Sequence, residues 1–413
     1  MSDAGRWCLP DPARKAHWIA MSSNSYGDGS TRGFDKLPPD LYQPDPALAG
    51  YPPPQPAPPM GSIGYGQPAP GQPYGHVGPY GPPGYPPPTS VPTSALPEVP
   101  RPYQQMLRGP RYRWWKPLLC LLLVILLAFS MMALALVPVL IAGWITGTDL
   151  ITTMDITNLG PIGFIYLNLS LIALIPASGL SIWIVHGIRP KFLSSVAGGI
   201  RWRWLLRCIA VILPLWAVYI GLAALVTPFT SPRPTQWVAL LIIVLLLTPL
   251  QAAGEEYFFR GWIMQNVGAW FSRPIVGLVV SLVVSAVTFS TLHLSRDPWV
   301  LGGIACLAVA SGLAAWRTGG LEAGIAMHAV NNMLVITVIV LSGNWSQAFI
   351  QTETTRTPAA LLLAGAVYGI ALALILWQAK RAGVQPYYQP TRRLTPSSAM
   401  PAPTYPLSQY QAP

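Results

Sequence analysis

The sequence contains few charged residues, and this scarcity argues against an ordinary soluble fold. Asp, Glu, Lys and Arg make up only 9% of the 413 residues, whereas an average soluble domain has roughly 25%. Hydrophobic residues reach 52% instead. Several apolar runs are about 20 residues long, which is the length that a helix needs to cross a bilayer. The chain is therefore predicted to be an integral membrane protein.

Acidic residues are the scarcer of the two signs, and the formal net charge is +11. A basic surplus can indicate binding to nucleic acid. Here, however, the Arg and Lys residues lie at the ends of apolar runs and not along one amphipathic face. That distribution is typical of membrane topology, so no nucleic-acid partner is expected.

Cysteine is scarce as well, and no secretory signal is visible. The four cysteines are Cys8, Cys120, Cys208 and Cys306. They form no CxxC pair and no disulfide spacing, so they are interpreted as unreactive thiols. The opening "MSDAGRWCLPDPARKAHWIAMSS" has no apolar stretch of the signal-peptide kind. Met1 and Met21 both remain open as the start of the protein.

Proline and glycine are concentrated at the amino-terminal side. Residues 22–105 form a low-complexity block rich in Pro, Gly and Tyr, and such composition predicts disorder with polyproline II character. The block is interpreted as a solvated tether, with a docking tail for proline-recognition domains as the alternative. The predicted organisation is a cytoplasmic tail (1–110), a transmembrane domain (111–382) and a second disordered tail (383–413).

The predicted fold class is all-α, a polytopic transmembrane bundle of about eight helices. The candidate helices cover about 117–143, 160–185, 204–228, 236–263, 275–294, 299–316, 323–342 and 357–379. Cationic residues favour one set of alternating loops, which by the positive-inside rule predicts both termini in the cytoplasm. A multi-pass protein of the plasma membrane is the expected location.

A cluster of charges interrupts the fourth apolar run at "GEEYFFRGW". Charged residues at bilayer depth are costly and usually functional. Glu256 and Arg260 are separated by four residues, so they share a helix face and can form an ion pair. That pairing would leave Glu255 available for another role.

Two further segments bring polar side chains into apolar helices: "FSTLH", with Phe289 and His293, and "HAVNN", with His328 and Asn332. The other histidines lie in the amino-terminal block or at a helix end: His17, His76 and His186. His328 and Asn332 are four residues apart and present an imidazole and an amide to one place. Phe289 lies one turn from His293 and is expected to form a wall of the site.

A hairpin about Pro274 predicts which of these groups meet. Glu255 and His293 are each 19 residues from Pro274, so in an antiparallel hairpin both would lie roughly 28 Å from the turn. His328 is nine residues beyond Gly319 and would lie only about 13 Å deep. The depth of His328 relative to the other two therefore stays open.

A purely structural interpretation is the alternative for these residues. In it, Glu256 and Arg260 form an ion pair that fixes helix packing, and the histidines are interhelical hydrogen-bond donors. The occurrence of all these groups on three helices of one bundle favours a functional site. Glu322 is expected to be an interfacial charge.

These three motifs resemble the CPBP family of intramembrane proteases, which includes CAAX prenyl proteases and bacteriocin-processing proteins. The family pattern is EExxxR, FxxxH and HxxxN, and this chain has "EEYFFR" (255–260), "FSTLH" (289–293) and "HAVNN" (328–332) in that order. The resemblance covers roughly residues 200–379. It implies an endopeptidase that hydrolyses peptide bonds of membrane-associated peptides or proteins.

The resemblance also implies a role for each motif residue. Glu255 would activate the attacking water with help from His293, and His328 with Asn332 would stabilise the oxyanion. Glu256 and Arg260 would hold the site together. A desolvated carboxylate is a stronger base than one in water, and an imidazole within reach can share the proton transfer.

The sequence leaves an alternative for the cofactor and alternatives for the class of function. Glu255, His293 and His328 form a plausible zinc set, but HExxH spacing is absent and each ligand is on its own helix, so a metal-free mechanism is favoured. A non-catalytic immunity or scaffold protein would retain the motifs without hydrolysis. A proton-coupled transporter is the third class, although no second copy of the acidic segment is present. Expected partners are membrane lipids and a membrane-associated substrate.

Overall fold

The computed structural model describes residues 94–156, 159–226, 232–345 and 357–390. The predicted disorder of residues 22–93 and 391–413 falls outside these ranges. Within them the chain is a bundle of helices with a two-stranded ribbon. The all-α transmembrane fold class predicted from the sequence is confirmed.

The helices follow the predicted order, with some spans divided into shorter segments. They are α1 (Lys116–Thr146), α2 (Leu150–Thr153), α3 (Pro161–Ile172), α4 (Leu174–His186), α5 (Lys191–Ser194), α6 (Trp202–Val226), α7 (Trp237–Leu246), α8 (Thr248–Glu256), α9 (Met264–Ala269), α10 (Pro274–Thr291), α11 (Pro298–Thr318), α12 (Glu322–Leu341) and α13 (Pro358–Arg381). A π-helix, Tyr257–Ile263, joins α8 to α9. The strands are β1 (Arg101–Pro102) and β2 (Tyr387–Tyr388).

Seven helices or helix pairs in the described ranges are long and apolar enough to cross a membrane. The segment Trp237–Leu246 with Thr248–Ala269, bent by 42°, makes an eighth if it is one span. The protein is therefore a multi-pass membrane protein, with seven or eight candidate spans in the described ranges against about eight predicted from the sequence.

Proline and glycine set several helix ends. Pro161, Pro274 and Pro298 lie in the first turns of their helices, where a missing N–H is no loss. Gly147 and Gly319 follow α1 and α11 with φ of 71° and 69°. This left-handed conformation suits glycine and ends a helix.

The bend between α7 and α8 separates an apolar half-span from the half that carries the acidic pair. Pro249 lies in the first turn of α8, and a proline removes one helical hydrogen bond and clashes with the preceding turn. Gly254 then lets α8 approach α3, because an added Cβ there would overlap the carbonyl oxygen of Leu171. The bend and the close contact together carry Glu255 into the bundle interior.

The ordered bundle begins before the predicted boundary at residue 110. β1 pairs with β2 in antiparallel register, with Arg101 opposite Tyr388, and Tyr103, Met106 and Leu107 are buried. The two segments were assigned to disordered tails, and they instead meet at one end of the bundle.

Hydrogen bonds to backbone carbonyl groups explain this difference. Four side chains of this segment donate to backbone carbonyl oxygens elsewhere in the fold. The Tyr103 hydroxyl donates to Leu193 O, Gln104 to Pro274 O at 3.1 Å, Gln105 to Phe271 O at 2.8 Å and Arg108 to Ala269 O at 2.8 Å. Burial raises the pKa of the Tyr103 hydroxyl, so it remains a donor. Composition predicted disorder because it does not reveal which carbonyl groups near a helix end need donors.

Glu322 was expected at the interface, and the structure instead buries it completely. The Arg201 side chain reaches both of its oxygens, with Nε at 2.9 Å and Nη2 at 2.7 Å, and the Arg201 backbone N–H also donates at 2.9 Å. Such bidentate pairs fix geometry as well as charge. The pair anchors the start of α12 against the start of α6.

We expect Glu322→Ala to destabilise the protein by about 3 kcal/mol, because Arg201 would keep a largely buried charge without its partner. Thermal unfolding of the purified protein in detergent measures the effect. Glu98→Ala removes an exposed acidic residue and is the matched control. Equal unfolding temperatures for the two variants would contradict a structural role for the ion pair.

Candidate active site

The acidic pair lies where α8 changes into a π-helix. Glu255 and Glu256 are the last residues of α8, and Arg260 lies within the π-helix. π-Helical segments are rare and frequently occur at functional sites. Glu256 Oε1 is 3.2 Å from Arg260 Nη1, and neither side chain has any exposed surface. The ion pair expected from their spacing is therefore present.

His328 joins the two carboxylates. Its Nδ1 lies 3.0 Å from Glu256 Oε1, and its Nε2 lies 3.1 Å from Glu255 Oε2. The contact of Nδ1 with Glu256 has hydrogen-bond geometry, whereas the contact of Nε2 with Glu255 is a close polar approach. The positive charge of Arg260 lies beside the same carboxylate of Glu256.

The hairpin expectation placed Glu255 beside His293 and left the depth of His328 open. His293 is near enough to Glu255 for an electrostatic interaction between the two side chains, and His328 is in direct contact with both carboxylates. At the start of α12, Leu321, Glu322 and Ala323 are all completely buried, so this helix packs closely against its neighbours from its first turn.

His293 occupies a different position, in the turn that follows α10. It is exposed, and its Nδ1 is 2.8 Å from the carbonyl oxygen of Phe289. The next residue, Leu294, has a φ of 53°, which is uncommon for a residue other than glycine. Strained backbone of this kind is concentrated at functional sites.

Phe289 lies among the other groups. Its ring meets His293 edge-on at 4.7 Å and His328 at 5.5 Å between centroids. The guanidinium of Arg260 lies 4.1 Å from its centre, a favourable cation–π geometry. The wall that the sequence predicts at Phe289 thus also stabilises a buried charge.

Asn332 belongs to a chain of amide groups that sequence reasoning missed. Its Nδ2 lies 3.3 Å from Gln251 Oε1, and its Oδ1 accepts from Asn331 Nδ2 at 3.1 Å. Asn331 Oδ1 in turn accepts from Trp216 Nε1 at 3.1 Å and Tyr368 at 3.4 Å. The contacts fix which end of the Asn332 amide carries its donors.

Two features of the sequence could have indicated part of this hydrogen-bond network. Gln251 is four residues before Glu255, on the same helix face, and is polar within an apolar run. Asn331 is adjacent to the motif residue Asn332. Trp216 and Tyr368 gave no such signal, because they come from helices without any motif.

A cavity of about 790 Å³ opens beside these residues. Its polar wall contains Gln251, His293, His328, Asn331 and Asn332, and its apolar wall comes from α3, α6, α11, α12 and α13. Ligand cavities of this size typically combine apolar walls with a few directed polar groups. The cavity brings together residues of two of the three motif segments, and Gln251 lines it from α8, the helix that carries the acidic pair.

The two carboxylates of the pair differ in exposure, although they are neighbours in the sequence. The Glu255 side chain is 11% exposed, whereas Glu256 and Arg260 are 0% exposed. Both glutamates are buried residues, and Oε2 of Glu255 has almost no exposed surface. Glu256 is confined to the ion pair, and Glu255 retains a small exposed surface.

The residues do not fit a preformed zinc site. A zinc ligand must offer a lone pair, and both ring nitrogens of His328 contact carboxylates. In the described ranges, no group of three or more His, Cys, Asp or Glu side chains is arranged to hold a metal ion. The set of Glu255, His293 and His328 would have to rearrange to bind one.

Residues 235–334 match a family model described as type II CAAX prenyl endopeptidase Rce1-like. This range contains all three motifs, and the match confirms the resemblance to the CPBP family. The uncharacterized protein YyaK of Bacillus subtilis (strain 168) is 31% identical over 110 residues, which cover 24% of this chain and 34% of that protein. The chain thus aligns with about a third of the curated relative. No solved structure matches it.

The hydrogen bond of Ser285 tests whether contacts from α10 stabilise the π-helix. Its hydroxyl donates to the Phe259 carbonyl oxygen, next to Arg260, at 2.9 Å. We expect Ser285→Ala to destabilise the protein by about 1–2 kcal/mol, because a buried interhelical hydrogen bond is lost. Thermal unfolding in detergent measures this loss.

Ser281→Ala is the matched control. Ser281 is also buried on α10, but its hydroxyl donates to Leu278 O within the same helix, at 3.1 Å. This variant should unfold near the wild-type temperature. A larger effect at Ser281 than at Ser285 would show that the contact with Phe259 does not stabilise the π-helix.

Proposed function

We propose that this chain, whose residues 235–334 match the Rce1-like CAAX endopeptidase model, is an intramembrane endopeptidase of membrane-associated peptides or proteins. Glu255 would be the general base, working without a metal ion. The unequal environment of the two glutamates carries the proposal. Glu256 is completely buried and paired with Arg260, whereas the Glu255 side chain is 11% exposed and is not confined to that pair.

The proposed reaction begins when Glu255 removes a proton from a water molecule. The oxygen of that water forms a bond to the carbonyl carbon of the peptide, whose π electrons move to the carbonyl oxygen. When the intermediate collapses, the C–N bond breaks and the protonated Glu255 returns the proton to the leaving nitrogen. A base at the reacting group contributes typically about 10²- to 10⁴-fold to such a reaction.

The proposed roles of His328 and His293 differ from the roles that the family resemblance implies. His328 Nε2 is within 3.1 Å of Glu255, so the ring can orient this carboxylate and share its proton. His293 lines the cavity with Nδ1 already engaged by a carbonyl group. Its Nε2 is then available to help position the attacking water.

Asn332 would stabilise the negative charge that forms on the carbonyl oxygen. Asn331 fixes the amide, and one Nδ2 hydrogen of Asn332 contacts Gln251, so the second hydrogen can point into the cavity. Donors aimed in advance at the oxyanion contribute about 3–4 kcal/mol each. Trp216 and Tyr368 would act as positioning residues, because they hold Asn331.

Both termini are proposed to face the cytoplasm, in the plasma membrane. The antiparallel contact of β1 with β2 brings the segment before the first membrane helix and the segment after the last one to the same side of the bundle. Several cationic residues lie near that ribbon. Arg201 is close to it in the fold, through its contact with the Gln385 carbonyl oxygen, and Arg108 and Lys380 are close to it in the sequence. Cytoplasmic faces carry such a cationic excess. The proline-rich block before the ribbon would then be exposed to cytoplasmic proline-recognition domains.

Glu255→Gln is expected to lower the cleavage rate by about 10²- to 10⁴-fold, because the amide cannot accept the proton. The purified protein is reconstituted with a library of membrane-tethered peptides, and cleavage is read by mass spectrometry. Stability should change little, since the amide is isosteric with the carboxyl group.

Glu256→Gln separates catalysis from structure. It would leave the buried Arg260 without its counter-charge and should cost about 3–5 kcal/mol of stability. Glu98→Gln, at an exposed position, should retain both activity and stability. Cleavage that persists in Glu255→Gln would reject the proposed base, and peptide binding without cleavage by the wild type would favour the non-catalytic alternative.

Chelation tests the cofactor proposal separately. EDTA and 1,10-phenanthroline should leave the wild-type cleavage rate unchanged, because the proposed base acts on water directly. The measurement is the same peptide assay after incubation with each chelator. Loss of activity that added zinc restores would instead establish a metal-dependent enzyme.

A further inference from the structure

A second cavity, of about 700 Å³, lies between the carboxyl-terminal ends of α11 and α13. The segment 383–387, which follows α13, closes one side. Within the described ranges this cavity and the one beside His328 share no lining residue. Its role is therefore separate from the proposed hydrolysis.

The wall of this second cavity carries positive charge alone. Arg317 and Lys380 line it and are exposed. Across the part of the chain that the structure describes, no acidic residue lines this cavity and neither cation forms an ion pair. A cavity with unopposed cations favours an anionic ligand.

The free carbonyl groups at the ends of α11 and α13 do not by themselves explain why Arg317 and Lys380 lie here. Basic side chains in a last helical turn often satisfy free carbonyl groups. Here backbone N–H groups already do so: Gly320 donates to Ala315 O at 3.1 Å, and Val384 donates to Ala379 O at 3.1 Å. Arg317 and Lys380 are consequently available to a ligand.

The aromatic residues of this cavity favour a position at the level of lipid head groups. Trp316, Trp377 and Tyr387 all line it, and Trp and Tyr are enriched at the membrane–water boundary. The Arg317 guanidinium lies 5.2 Å from the Trp316 ring. Leu376 adds an apolar surface beside the charges, suited to the start of an acyl chain.

The wall formed by residues 383–387 is fixed to the bundle. Tyr387 lies in β2, which pairs with β1, and Arg201 Nη1 is 3.5 Å from the Gln385 carbonyl oxygen. At Gly319 an added Cβ would lie within 2.7 Å of that same oxygen and 2.9 Å of Pro386 O. The cavity is thus part of the fold and not a gap beside a loose tail.

We propose that this cavity binds the phosphate head group of an anionic membrane lipid. Two cations would contact the phosphate, and the acyl chains would extend along Leu376 and Trp377. Basic pockets between transmembrane helices bind anionic head groups in this way. A free phosphate ester offers the same charge but lacks the apolar part that these side chains would cover.

The test uses the full chain, purified in detergent and freed of lipid. Phosphatidylglycerol, phosphatidylcholine and glycerol 3-phosphate are added in turn, and bound ligand is measured by native mass spectrometry. Phosphatidylglycerol should bind the wild type most tightly. Arg317→Gln and Lys380→Gln should each weaken that binding about fivefold, and the double variant about 25-fold.

Arg203→Gln/Arg207→Gln is the matched control, because it removes two exposed cations from α6 that do not line the cavity. It should retain phosphatidylglycerol binding. Equal losses in the two double variants, or unchanged binding in Arg317→Gln/Lys380→Gln, would overturn the proposal. Equal affinity for phosphatidylcholine would reject anionic selectivity, and equal affinity for glycerol 3-phosphate would identify a soluble phosphate site. Thermal unfolding verifies the fold, and the single variants replace the double one if it does not fold.

Discussion

Four buried or nearly buried ionisable side chains, Glu255, Glu256, Arg260 and His328, form a cluster that pairs acidic with basic groups. Removing a charge from water costs several kcal/mol even after relaxation of the protein, so no one of these groups could remain in the interior alone. His328 contacts both carboxylates and Arg260 contacts one. The cluster therefore holds α8, the π-helix and α12 in one arrangement.

The surrounding residues support this cluster from several directions. Phe289 presents the face of its ring to Arg260 and forms T-shaped contacts with both histidines, and Ser285 binds the π-helix backbone. Arg201 holds Glu322 at the buried start of α12, six residues before His328. A largely buried ion pair at the start of α12 thus helps to hold the helix that carries His328.

Much of the architecture could be predicted from the sequence. Apolar runs indicated about eight spans, and the spacing of Glu256 and Arg260 indicated their ion pair, because helix geometry is local. The contact between His328 and the acidic pair could not be predicted from residue counts, because these counts left the depth of His328 relative to Glu255 open. The same limit applies to residues 101–108, whose polar side chains satisfy carbonyl groups more than 80 residues away.

The sequence by itself determined that the chain spans a membrane, that its apolar segments contain an acidic pair and two histidines, and that these follow a protease-like pattern. Composition and short-range spacing are sufficient for such statements. Only the tertiary structure decided which carboxylate retains a small exposed surface, which histidine meets it, and that Asn331, Trp216 and Tyr368 hold Asn332. These features depend on where helices bend and begin, and both are set by contacts between residues far apart in the chain.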